Sequence, residues 1–136
     1  MNPKPQFRTN GALGALLDEY EKALNELKHI ILDLSHEELI KVVDAETQNI
    51  DCKSIQTILS HIVQSGYTYV VEIKKWMGEQ DHYRPVILLD HIDEYLTALD
   101  RMFQYTEQLF LDHSDIKLTE YNINKKIKVR WGQTYD

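Results

Sequence analysis

The chain has 136 residues, 43% of them hydrophobic, and 22 acidic against 15 basic side chains give a formal charge of -7. At roughly 100–200 residues per domain this is one domain over residues 1–136, with no room for separate cofactor and substrate domains. The acidic balance disfavours binding to a phosphate backbone, and a single cysteine, Cys52, excludes an internal disulfide or a multi-cysteine metal knuckle and fits a reducing, cytoplasmic setting.

The first ten residues lack the apolar run of a secretory signal. No stretch reaches the ~20 apolar residues of a membrane span, so no membrane partner is expected. Only Pro85 lies beyond the fifth position. A chain so short of breakers is expected to be all-α, built from a few long helices.

A first helix is expected from about 11 to 33. Leu13, Leu16, Leu17, Tyr20, Leu24, Leu27, Ile31 and Leu34 recur mostly three and four apart, with charges on the other side. Asn10 is its candidate N-cap. Ser35 and Glu38 have the spacing of a capping box and open a short helix from His36 to about Val43. Residues 44–51 are polar and without period, and read as a loop.

A second long helix is expected from Ser54 to Met77, capped by Ser54 or Asp51 and closed by Gly78. Its apolar stripe is Ile55, Ile58, Leu59, Ile62, Tyr69, Ile73, Trp76 and Met77. Gly66 falls inside this pattern at a cost of roughly 1 kcal/mol relative to alanine. A polar connection closed by Pro85 leads to a third helix, from about Leu88 to Asp112. Beyond it, Ile127, Val129 and Trp131 alternate with charges, the period of an extended segment. The five cations in 117–130 read as a solvated edge balancing an acidic body rather than as a nucleic-acid contact.

Three helices of roughly 35 Å each can pack as an up-down bundle. Their stripes are wide, and the usual closed arrangement of such lengths has four helices. The fourth is absent here, or supplied beyond residue 136 or by a second copy of the chain.

Few polar groups interrupt the apolar patterns. At 100° per residue His61 lies about 60° from Ile58, at the border of the stripe, where it can face the bundle interior. An imidazole there needs a partner for each nitrogen, either hydrogen bonds or a metal. His29, His36, His82, His91 and His113 form no pair at metal-ligand spacing on one helix, and His91 with Glu94 reads as a surface contact. No nucleophile elbow, phosphate-binding glycine loop or cysteine–histidine signature is present. Cys52 reads as an ordinary small side chain, and the aromatics Tyr67, Tyr69, Trp76, Tyr95, Phe103 and Phe110 as core and rim.

The segment 51–67, with Ser54, Leu59 and His61 in an S-x-x-x-x-L-x-H setting, resembles the histidine-bearing second helix of the DinB-like superfamily. The helix order and the ending Val-Arg-Trp-Gly-Gln-Thr-Tyr-Asp are also similar to that family. The resemblance implies a four-helix bundle, often homodimeric, with one divalent metal, zinc or nickel, on three histidines. One of them corresponds to His61, and an H-x-x-x-H pair on the fourth helix supplies the other two. It further implies thiol-dependent transferase chemistry, in which the metal activates a low-molecular-weight thiol. The H-x-x-x-H pair is not found in residues 1–136. The alternative is a non-catalytic bundle that dimerises or binds a small-molecule ligand, with His61 structural.

Overall fold

The computed structural model describes residues 8, 11–114, 127–128 and 134–135. Its helices are α1 (Gly11–Ile31), α2 (His36–Ile40), α3 (Ile55–Trp76) and α4 (Ile92–Asp112), with a 3-10 turn at Ile50–Cys52 before α3. Two short strands, β1 (Ile127–Lys128) and β2 (Thr134–Tyr135), pair antiparallel with Ile127 opposite Tyr135, and β1 lies against α3. Among the described residues the architecture is a helical bundle of three long helices and one short one.

Local sequence fixes most of the helix boundaries. Ser35 accepts from the Glu38 backbone N–H at 3.1 Å, while the Glu38 carboxylate accepts from the Ser35 N–H, which completes the capping box of α2. Ser54 and Thr57 cap α3 in the same reciprocal way, so Ser54, and not Asp51, is its cap. Two boundaries differ from the sequence expectation. Helix α2 stops at Ile40 rather than Val43, because the Val43 N–H is drawn off to the Lys53 carbonyl at 2.8 Å. Helix α4 begins at Ile92 rather than Leu88, because the backbone of Leu89 is taken up by side chains: its N–H donates to Tyr95 Oη and its carbonyl accepts from Gln56. The expected Asn10 cap and most of the extended tail lie outside the described residues.

The core is formed by Leu13, Leu17, Leu24 and Ile31 of α1, Leu39 of α2, Leu59 of α3, and Ile92, Tyr95, Leu99, Met102 and Phe103 of α4. Tyr20 meets Phe103 edge to face at 5.4 Å between centroids, a favoured aromatic geometry. The buried side of α3 is rotated from the stripe the large residues suggest. Ser60, Gly66, Thr68, Val70 and Val71 are buried, whereas Ile58 and Tyr69 are exposed, as is Leu16 on α1. Small residues set this face because they let α4 approach. A Cβ at Gly66 would lie 1.9 Å from Met102 Sδ, so glycine here makes room for a neighbour, and α3 continues through it unbroken.

The connection between α3 and α4 has no regular structure of its own, yet its path is pinned. Gln56 donates to the Leu89 carbonyl at 2.9 Å, Ser60 to the Ile87 carbonyl at 2.8 Å and Gln64 to the Arg84 carbonyl at 3.3 Å. Tyr95, fully buried, closes this track: its hydroxyl meets Ser60 Oγ, accepts from the Leu89 N–H at 3.0 Å and donates to the Gln56 carbonyl at 3.2 Å. At the other end of the molecule, Arg8 ties Asp18 and Glu21 of α1 to Glu107 of α4.

Candidate functional site

His61 sits in the second turn of α3, but on its outer side: half of its side chain is exposed, so it does not face the bundle interior. The 3-10 turn before α3 brings Asp51 back to it. Asn49 holds that turn by accepting from the Asp51 N–H at 3.0 Å. Asp51 Oδ2 then lies 3.3 Å from His61 Nδ1, and Ser65 Oγ, one helical turn further on, lies 3.3 Å from His61 Nε2. A carboxylate only accepts, so Nδ1 carries the proton when it bonds Asp51, and Nε2 is left as the acceptor facing Ser65 and solvent.

This Asp51–His61–Ser65 line has the order of an acyl-transfer triad, but the turn before α3 offers it no oxyanion hole. The nearby backbone N–H groups of Asp51, Cys52, Lys53 and Ser54 are all engaged locally, so none is available to a developing oxyanion. The arrangement instead has a carboxylate close to one imidazole nitrogen, as ligating histidines commonly have, while the other nitrogen meets Ser65. His61 fits one ligand position. Among the described residues no group of three His, Cys, Asp or Glu side chains can hold a metal ion. The remaining ligands are therefore not supplied there, and no chemical step follows through a metal. Cys52 is exposed and unpaired as a disulfide partner.

A second polar cluster lies where the connection leaves α3. Lys75 Nζ donates to the Tyr83 hydroxyl at 2.9 Å, and that hydroxyl donates to the buried carboxylate of Glu72. Alongside, Lys74 Nζ donates to the Tyr105 hydroxyl at 3.0 Å, and that hydroxyl donates to Asp81. The bond with Tyr105 holds the Lys74 ammonium above its ordinary pKa, against the opposing effect of burial. Arg84 lies 4.1 Å from the ring centroid of Tyr67 and 4.5 Å from that of Tyr105, with its Nη1 buried and without a hydrogen-bond partner. The cluster braces the connection against both helices.

Among the described residues the surface also carries an open groove of about 350 Å³ between α1 and α4, lined by Glu21, Leu24, Lys28, Asp100, Phe103 and Glu107. The bundle interior around Gly66 and Met102 is filled. No described helix is long and apolar enough to cross a membrane. The basic segment 117–130 lies outside the described residues apart from 127–128.

Sequence reasoning singled out His61, expected it at the edge of the interior, and missed Asp51 as its neighbour. The signal was the short polar stretch before α3, which can fold back on the helix it precedes, but the same residue also has the chemistry of a cap. Comparison of the chain with family models, with curated proteins and with solved structures gives no match in any of the three.

Proposed function

We propose that the chain is a bundle of the DinB-like type in which His61 is one ligand of a divalent metal, zinc or nickel. The remaining ligands come from outside the described residues. The observation that supports this is the 3.3 Å approach of Asp51 Oδ2 to His61 Nδ1 on the exposed side of α3: a carboxylate there favours the tautomer whose Nε2 can ligate once Ser65 turns away from it. In this reading the activity is transfer to a low-molecular-weight thiol, which a metal makes nucleophilic at neutral pH by lowering its pKa, and the working unit is a cytoplasmic homodimer. Asp51 orients the imidazole and touches no substrate.

Metal analysis of the purified protein tests the proposal. Zinc or nickel that survives exhaustive dialysis, near one ion per chain, is expected in the unaltered protein and should be lost in His61→Ala. Asp51→Asn should weaken binding by about 10–100-fold, as other outer-shell partners do. Retention of stoichiometric metal by His61→Ala would reject the proposal. A second reading, a non-catalytic bundle with a structural His61, is favoured by the filled interior and by the lack of further ligands among the described residues. It expects no metal at this position in either protein.

A further inference from the structure

His36 and His91 are 55 positions apart in sequence, and no spacing rule connects them. The fold brings their rings to 5.6 Å between centroids, with planes inclined by 45°. Both side chains are exposed. His36 is the first residue of α2, and His91 is the residue immediately before α4.

The orientation of one ring is fixed by a backbone contact. His36 Nδ1 contacts the backbone carbonyl of Asp90, which can only accept, so Nδ1 carries a hydrogen, and in the neutral ring Nε2 is the nitrogen that holds the lone pair. Donation of the other ring N–H to a backbone carbonyl is the support that ligating histidines commonly have. His91 occupies the N-cap position of α4 but makes no side-chain cap bond, so its imidazole is not committed to the helix N–H groups.

The ring separation suits a shared ion. With zinc–nitrogen distances of about 2.0–2.1 Å and a tetrahedral angle, two imidazoles on one ion have centroids about 5 Å apart. Two helix N-termini would by themselves repel a cation. Here their first turns carry Glu37 and Glu38 on α2 and Asp93 and Glu94 on α4, four carboxylates that reverse the sign of the local charge.

We infer that His36 and His91 form a two-imidazole site for a borderline divalent cation such as Zn²⁺, Ni²⁺ or Cu²⁺, with water completing the coordination, which fastens α2 to the start of α4. The site is independent of His61. Imidazole ligands select this class of ion over Mg²⁺ or Ca²⁺, which prefer oxygen.

The test is a zinc titration of the full chain by calorimetry, alongside His36→Ala, His91→Ala and His61→Ala. Binding at this site should weaken at least tenfold in each of the first two variants and stay unchanged in His61→Ala. In the unaltered protein, substoichiometric Cu²⁺ should broaden the ring proton resonances of His36 and His91 before those of His29, His82 and His113, a readout that needs no variant to fold. Zinc binding unaffected by either His36→Ala or His91→Ala would overturn the inference. So would broadening that spares these two rings, or an unaltered chain that binds no zinc at millimolar concentration. Loss of binding confined to His61→Ala would overturn it while supporting the metal site proposed above.

Discussion

Gly66→Ala puts the packing of α3 on α4 to a direct test. In an exposed helix interior the change stabilises by about 1 kcal/mol, because alanine loses less backbone freedom on folding. Here the new methyl would lie 1.9 Å from Met102 Sδ, 2.5 Å from its Cγ and 3.0 Å from its Cε. Ordinary carbon contacts lie at about 3.5–4.0 Å, so the thioether must move by well over 1 Å. Met102 is fully buried, and its sulfur accepts a 3.7 Å contact from the Tyr20 hydroxyl, so the space to move into is small. Methionine is flexible, but Cγ is close to the root of the side chain and cannot be relieved by a terminal rotation alone. Overpacking of this kind costs about 1–3 kcal/mol, which outweighs the propensity gain. A contact as close as 1.9 Å puts the overpacking toward the upper end of that range, so a net loss approaching about 2 kcal/mol is expected, or a fall in Tm of about 6–8 °C for a domain of this size. Urea and thermal unfolding followed by circular dichroism measure it. In a Met102→Ala background the same Gly66→Ala change should be neutral or stabilising, because the obstructing atoms are gone, and the two changes should couple strongly. A Gly66→Ala protein that is as stable as the original, or more so, would refute the close approach.

Tyr95→Phe removes the hydroxyl that joins Ser60, Leu89 and Gln56 and leaves the Leu89 N–H without its acceptor; a loss of about 1–3 kcal/mol is expected in urea unfolding, with faster amide exchange at Leu89. Burial raises the pKa of Asp81, but hydrogen bonds from Tyr105 and the His82 N–H, with the charge of Lys74, outweigh it and hold the carboxyl below its ordinary 3.8. A folded-state value below the unfolded one gives stability that is full above the unfolded pKa and lost as pH falls through the folded one. The stability difference between the original protein and Asp81→Asn should therefore shrink in the acid range, and a difference that stays constant from pH 7 to pH 2 would contradict it. The metal content of His61→Ala, stated above, completes the set.

Much of the fold was legible in the sequence because its determinants are local. The capping pairs Ser35–Glu38 and Ser54–Thr57, the leucine spacing of α1 and the tyrosine and leucine spacing of α4 are short-range signals, and they mark the helices to within a few residues. The face of α3 was not legible in this way. Large residues such as Tyr69 and Ile58 suggested one side, but contact with α4 goes through Gly66 and Ser60, where a small side chain is what permits approach. Periodicity of hydrophobic residues does not report that. The site was legible only in part. His61 was singled out from its place at the border of a helical stripe but lies on the outer side of α3, whereas Asp51 on the preceding turn and the meeting of His36 with His91 depend on chain reversals that no spacing encodes.

The hydrogen bonds from Gln56, Ser60 and Gln64 set a length constraint on the segment that they hold. Four residues of helix advance about 6 Å, and two residues of extended chain advance about 6.6 Å, so the steps from Gln56 to Ser60 and from Leu89 to Ile87 are commensurate. The next step, from Ser60 to Gln64, is matched by three residues, Ile87 back to Arg84, and Pro85 falls within the extra length. The two tracks thus run together like a vernier, with one residue of slack taken up beside the proline. Side chains along this segment can vary while the carbonyls keep their places. One residue added or removed between Ile87 and Leu89 would put a carbonyl out of step with α3 and draw the Leu89 N–H away from the Tyr95 hydroxyl.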